Sequence, residues 1–323
     1  MLVDNYNRTI DYLRISVTDR CDLRCNYCIP KSYNTFESYH DWLTFEEIER
    51  VTAAFARLGA KRFRLTGGEP LLRKDFLSLV KKLSVLKGVE DLSVTTNGTQ
   101  LERYAKELKK AGVHRLNVSL DTLRRGCFRD ITGNDRLSQV LSGLQTARNV
   151  GFKTIKINMV LHDQNCSDIE QMIEFCMQNG FVLRLIELMP VGIAAQSMTS
   201  LTFEPLLADL QEKFSLTPVT DILGGGPARY WTAQNNSFTL GFITPLSRHF
   251  CETCNRVRLS VTGNLYMCLG QNYTFNLRHL LRRSCTDQSL EEAIRYAVCL
   301  KPEKHNFLEK PDQIFRTMAL TGG

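Results

Sequence analysis

The sequence predicts an α/β protein, with a parallel sheet built from six βα units followed by a smaller C-terminal α+β domain. Three observations carry this. Short β-branched or apolar runs alternate with amphipathic segments over about the first 190 residues. Chemically distinctive residues cluster just after the ends of those runs. Beyond "MPVGIAAQSMTS" the rhythm changes, which sets the expected boundary at 1–195 and 196–323.

The strand-like runs are "YLRISVT" (12–18), "RFRLT" (62–66), "DLSVTTN" (91–97), "HRLNVSL" (114–120), "TIKINMV" (154–160) and "VLRLIELM" (182–189). Amphipathic segments start near Thr44, Lys74, Gln100, Leu137 and Ser167, the first with the capping pattern Thr44-x-x-Glu47. Strands that alternate with helices are joined by right-handed crossovers into a parallel sheet. Spacing alone allows a doubly wound sheet or an incomplete (βα)6 barrel. Either one puts function at the C-terminal ends of the strands. The later region reads as a helix at about 203–213, strand-like "FTLGFITPL", a hairpin "RVRLSV-TGN-LYMCL", and helices at about 275–284 and 288–299.

Composition narrows the class. A chain of 323 residues that is 43% hydrophobic can bury a full core. The N-terminal residues carry Asp4, Arg8, Asp11 and Arg14, so no signal peptide is expected, and the protein reads as cytoplasmic. The apolar stretch 181–195 is broken by Arg184, Glu187 and Pro190, so no membrane span is expected. Eleven cysteines then imply reduced thiols and metal rather than disulfides. A net charge of +7 points to an anionic partner, nucleic acid or a phosphorylated small molecule.

The loop after the first strand, "TDRCDLRCNYCIP", places Cys21, Cys25 and Cys28 in a C-x3-C-x2-C pattern. Closed zinc sites take four ligands, and the nearest histidine is His40. Three thiolates suit a [4Fe–4S] cluster that keeps one iron open. "TGGEP" (66–70) follows the second strand, where paired glycines let backbone approach a ligand. A second set, Cys251, Cys254 and Cys268, has the pattern C-x2-C-x13-C, and zinc completed by Cys285, His249 or His279 stands as an alternative there. Arg256 and Arg258 share one strand face beside it. Arg14, Arg64, Lys156 and Arg184 each interrupt a predicted strand, where a charged side chain either points into a polar lumen or pairs outside, and four in separate strands favour the lumen. The other cysteines, 127, 166, 176, 285 and 299, read as buried small hydrophobes.

The C-x3-C-x2-C spacing, with Tyr27 before its last cysteine, resembles the signature of radical S-adenosylmethionine (SAM) enzymes. With "TGGEPLLR", "TTNG", "NVSLD", "CETCNRVRL" and the terminal "GG", the whole chain resembles the GTP 3′,8-cyclase family of molybdenum cofactor biosynthesis. The resemblance implies an incomplete (βα)6 TIM-type barrel and a C-terminal domain that carries a second [4Fe–4S] cluster. Cys21, Cys25 and Cys28 would then ligate the SAM cluster, and Tyr27, Gly68, Ser119 and Met189 would line the SAM site. Cys251, Cys254 and Cys268 would ligate the second cluster, and Arg14, Arg64, Thr95, Lys156, Arg184, Arg256, Val257 and Arg258 would contact GTP. Arg256, Arg258, Gly322 and Gly323 would act in catalysis, although residues alone would leave the "LTGG" end frayed.

The implied reaction takes the hydrogen from ribose C3′ with a 5′-deoxyadenosyl radical, joins C3′ to guanine C8, and ends with uptake of an electron and a proton. The implied partners are GTP, an external electron donor and, downstream, cyclic pyranopterin monophosphate synthase. No nucleic acid or membrane is expected, and a homodimer stays open. Two rival readings remain: a peptide-modifying radical SAM enzyme, and a zinc-stabilised nucleic-acid-binding protein whose basic patches would carry stacking aromatics.

Overall fold

The structure, a computed structural model, describes residues 1–30, 32–196, 198, 201, 203–219, 224–233 and 238–322. The six expected units are present: β1 (Tyr12–Ser16), β2 (Arg62–Thr66), β3 (Asp91–Thr96), β4 (Arg115–Ser119), β5 (Ile155–Leu161) and β6 (Val182–Glu187). They pair in sequence order, all parallel. The helices between them are α1 (Phe45–Arg57), α2 (Phe76–Ser84), α3 (Leu101–Lys110), α4 (Arg125–Thr132), α5 (Leu137–Asn149) and α6 (Ile169–Asn179). Thr44 closes the capping box at α1, with both reciprocal hydrogen bonds formed. The short α4 has no counterpart in the sequence reading.

Alternation along each strand sorts its side chains. Leu13, Ile15, Phe63, Leu65, Leu92, Val94, Leu116 and Val118 are buried in one core with the helices' apolar faces, including Phe55, Leu79 and Leu108. The opposite face carries Tyr12, Arg14, Arg64, Thr95, Asn117, Lys156 and Arg184. A parallel sheet covered on one face by helices must curl for its other, polar face to become a lumen, and this sheet curls into a partial barrel.

Two short helices, α7 (Ile193–Gln196) and α8 (Phe203–Phe214), lead to β7 (Thr217–Val219), β8 (Arg229–Thr232) and β9 (Thr239–Ile243). Next come β10 (Arg256–Leu259), β11 (Asn264–Tyr266), β12 (Thr274–Asn276), α9 (Leu277–Leu281), α10 (Asp287–Cys299) and α11 (Met318–Thr321). The hairpin expected from "RVRLSV-TGN-LYMCL" is β10–β11, with Arg258 opposite Tyr266.

These later strands join the first sheet rather than forming their own. β10 pairs parallel with β1 and β9 pairs parallel with β6. The sheet thus has twelve strands, in the order β12-β11-β10-β1-β2-β3-β4-β5-β6-β9-β8-β7. Both edges of the six-stranded unit are therefore covered, which removes two open rows of backbone hydrogen-bonding groups. No helix among the described residues is long and apolar enough to cross a membrane.

Candidate functional site

The first three cysteines sit on the loop leaving β1, and the glycines after β2 hold that loop. A Cβ on Gly67 would lie 2.3 Å from the Thr18 carbonyl oxygen, and one on Gly68 would lie 2.2 Å from that of Arg20. Gly68 N–H donates to Thr18 O and Glu69 N–H to Arg20 O, both at 2.7 Å. The close backbone approach expected from "TGGEP" is therefore to the cysteine loop itself, while Gly68 also borders the cavity described below. A turn within the loop has Cys28 N–H donating to Cys25 O at 2.9 Å. The far side of the loop is tied to the end of α4 by Arg24 N–H to Thr132 O and Asn26 N–H to Ile131 O.

N–H groups already point at these sulfurs: Leu23 N–H at 3.4 Å and Asn97 Nδ2 at 3.6 Å reach Cys21 Sγ, and the Ala319 backbone N–H reaches Cys28. Burial pushes the Cys21 and Cys28 thiols up to about 12 and raises Cys25 well above its ordinary value. Three thiols on one turn, with donors aimed at sulfur, fit a thiolate-ligated iron–sulfur cluster and are one ligand short of a closed zinc site. Beside them Tyr27 donates from its hydroxyl to Asp121 Oδ2 at 2.7 Å, and burial raises Asp121 to about 6.

The second triad is assembled from three places. Cys251 opens a helical turn, Cys254 precedes β10, and Cys268 follows β11. Arg8, buried and paired with Asp4 at 2.6 Å, donates to Cys251 O at 2.8 Å and ties this turn to the Pro302 and Glu303 carbonyls. Burial raises Cys251 and Cys268. Burial also pushes Cys254 up, but Lys301 and Arg256 outweigh it and bring that thiol down to about 7. Among the described residues no three Cys, His, Asp or Glu side chains converge closely enough to hold one metal ion. Of the residues that could complete a zinc site, Cys285 lies against Arg50 of α1, its carbonyl accepting from that guanidinium.

Both triads border one cavity. Its walls also hold Arg14, Arg64, Arg184, Arg256 and Arg258, with Tyr27, Gly68, Thr95, Ser119, Met189 and Val257. Strand register explains the convergence, because Arg258, Arg14 and Arg64 are direct neighbours across β10, β1 and β2. Arg184 gains its place from Gly241 on β9, where a Cβ would meet Tyr230 Cε1 at 2.7 Å and Arg184 Cγ at 3.1 Å. Burial and mutual repulsion lower Arg184 to about 10 and Arg258 to about 9, and hold Arg14 well below the usual guanidinium range. Buried and without a hydrogen-bond partner among the described residues are Arg64 Nε, Arg184 Nε, Arg256 Nε, Thr95 Oγ1 and Asn158 Oδ1. Repelling cations with donors to spare form a site for a polyanion, to which guanidinium groups bring paired donors and orientation.

Two expected site residues lie apart from these walls. Lys156 is on the lumen face but off these walls, its Nζ donating to the Tyr230 hydroxyl at 3.0 Å; burial first, then Arg184, Arg115 and Arg64, bring it down to about 6. Gly322 is packed in the barrel mouth against Thr66, with its carbonyl accepting from Arg258 Nη1. The end of the chain is therefore seated rather than frayed up to that residue, and Gly323 lies outside the described residues. Of the five remaining cysteines only Cys176 is buried, since Cys166 and Cys299 occupy exposed positions and Cys127 and Cys285 half-buried ones.

Among the cavity residues that sequence reasoning missed are Tyr12, Asn158, His305 and Lys301. Tyr12 and Asn158 could have been found, because each stands two residues from an expected inward position, Arg14 and Lys156. Nothing in "LKPEKH" marks Lys301 or His305.

A partial barrel of parallel strands with a three-cysteine loop after β1 defines a class, and residues 15–176 match the model of the Radical SAM superfamily. Residues 181–307 match the Molybdenum Cofactor Synthesis C model. The chain resembles Streptococcus suis SuiB bound to S-adenosylmethionine in fold, at TM-score 0.62 and 17% identity, over 97% of this chain and 77% of that one. It is 44% identical to the GTP 3′,8-cyclase of Marinobacter nauticus, over 100% of this chain and 98% of the relative. Against the GTP 3′,8-cyclase of Brucella canis the identity is 45%, over 100% and 96%. The chain belongs to the GTP 3′,8-cyclase family within the radical SAM superfamily.

Proposed function

We propose that the protein converts GTP to (8S)-3′,8-cyclo-7,8-dihydroguanosine 5′-triphosphate, the first step of molybdenum cofactor biosynthesis. One observation carries the reading: two three-cysteine sets and five arginines border the same cavity. A peptide substrate would bring less negative charge than a triphosphate to balance the buried Arg64, Arg184 and Arg258, and a nucleic-acid surface would not be enclosed in a barrel.

Cys21, Cys25 and Cys28 hold a [4Fe–4S] cluster, and Tyr27, Gly68, Ser119 and Met189 hold SAM beside it. Together cluster and SAM supply the 5′-deoxyadenosyl radical that takes hydrogen from the ribose C3′. Cys251, Cys254 and Cys268 hold a second [4Fe–4S] cluster. Arg14, Arg64, Arg184, Arg256 and Arg258, with Thr95 and Val257, orient the nucleotide, and Lys156 supports the same lumen face through its hydrogen bond to the Tyr230 hydroxyl. The packed tail from α11 to Gly322 excludes water, and Gly323 follows it as a further catalytic candidate; exclusion matters because a primary carbon radical attacks any C–H bond within reach. An external donor supplies the closing electron, and the product passes in the cytoplasm to cyclic pyranopterin monophosphate synthase.

The test is iron and sulfide content after anaerobic reconstitution, comparing wild type with a Cys251→Ala/Cys254→Ala/Cys268→Ala variant, followed by reaction with SAM and GTP under reducing conditions. About eight irons falling to about four, with 5′-deoxyadenosine formed only in the presence of GTP, is the expected result. Zinc in the second triad, or SAM cleavage indifferent to GTP, would overturn it.

A further inference from the structure

The residue after helix α10 and its cap is a lysine, and it turns inward. Lys301 is 3% exposed and borders the shared cavity on the side of the second triad. Its Nζ donates to Arg256 O at 3.0 Å and to Met267 O at 2.6 Å, and it hydrogen-bonds the Cys254 thiol. Its charge acts on all three cysteines, Cys251, Cys254 and Cys268. Among the described residues its polar partners are two carbonyls and a thiol, with no carboxylate.

Two consequences follow from that placement. Arg256 begins β10 just after Cys254, and Met267 directly precedes Cys268, so one ammonium bridges the two arms that carry two of the three ligands. A buried ammonium is also costly unless negative charge offsets it, and two carbonyl dipoles offset only part. A [4Fe–4S] cluster held by three thiolates carries net negative charge, and one further negative charge after it takes up an electron. The missing counter-charge is thus largest when the cluster is reduced.

We infer that Lys301 is a positioning residue for the second cluster: its buried ammonium holds the Cys254 and Cys268 arms together and raises the cluster's reduction potential. This rests on the proposal that the second triad holds such a cluster. The step concerned is the transfer of one electron from an external reductant, dithionite in the test, with no bond to the protein made or broken.

The experiment uses the full chain with Cys21→Ala/Cys25→Ala/Cys28→Ala, so that iron reports the second triad alone. In this parent, Lys301→Gln keeps a hydrogen-bond donor and removes the charge, whereas Lys301→Arg keeps the charge. Each is reconstituted anaerobically, assayed for iron and sulfide, and titrated with dithionite under EPR. The expected result is a Lys301→Gln cluster at least tenfold harder to reduce, a fall of about 59 mV for one electron, with Lys301→Arg close to the parent. Loss of iron from Lys301→Gln but not from Lys301→Arg supports the same conclusion. Equal potentials in Lys301→Gln and parent, or equal shifts or equal iron loss in both variants, would overturn it. A parent that holds no iron–sulfur cluster would instead overturn the reading of the second triad, and this inference with it.

Discussion

Substitution of Gly322 by alanine offers a test in which geometry sets the expected size. A Cβ at Gly322 would lie 2.1 Å from Thr66 Cγ2, whereas ordinary contact begins at 3.4 Å, and the residue's φ of +79° is one that L side chains rarely adopt. The tail must therefore move by about 1 Å or more, withdrawing the carbonyl that accepts from Arg258. A displacement of about 1 Å in positioning machinery costs on the order of 10²-fold in rate. Global stability should change less than the rate, because Gly322 lies outside every strand and helix, just past α11. The assay is the initial rate of cyclised nucleotide formation from GTP and SAM under anaerobic reduction, with iron content and Tm as controls. Thr66→Ser removes the offending Cγ2, so a Gly322→Ala/Thr66→Ser pair should recover part of the loss, with the backbone strain remaining. Wild-type rates in Gly322→Ala would refute the seated tail, and a loss that Thr66→Ser leaves untouched would refute its steric origin.

Lys156 ties stability to pH. Unfolded, it keeps its proton up to its ordinary value of 10.5; folded, it loses it above about 6, so between those values the unfolded chain binds the extra proton and stability rises with pH. In urea unfolding of metal-free protein, wild type should gain on Lys156→Met by up to about 1.4 kcal/mol per pH unit in that window, and parallel profiles would contradict the assignment. Arg8→Met leaves the buried Asp4 carboxylate unpaired and should cost about 3–5 kcal/mol while loosening the Cys251 turn; a loss below about 1 kcal/mol would mean the pair is not structural. In reduced, metal-free protein Cys254 should be the member of its triad alkylated first by iodoacetamide, with a rate that climbs through about pH 7, as mass spectrometry of the labelled peptides would show. Earlier labelling of Cys251 or Cys268 would contradict the proposed influence of Lys301 and Arg256.

Much of this site could be read along the chain, because its signals are local. The spacing of Cys21, Cys25 and Cys28, the capping box at Thr44 and the charged residues at alternate positions of "YLRIS" and "RFRLT" follow from the periods of turn, helix and strand. Those periods correctly sent Arg14, Arg64 and Arg184 into the lumen. They also sent Lys156 there, without revealing that Tyr230 from a distant strand would accept its hydrogen bond.

What the sequence determined by itself was the set of six βα units, the ligand spacings and the inward face of each strand, since each depends on neighbours a few residues away. Tertiary structure alone decided that β10 would lie beside β1 and β9 beside β6, bringing both triads and the five arginines to one cavity. It also decided that Lys301 would turn inward against the second triad and that Gly322 would wedge against Thr66. The physical reason is range: register between strands more than 200 residues apart, such as Arg14 with Arg258, is set by how whole surfaces pack, and no short period in the chain encodes it.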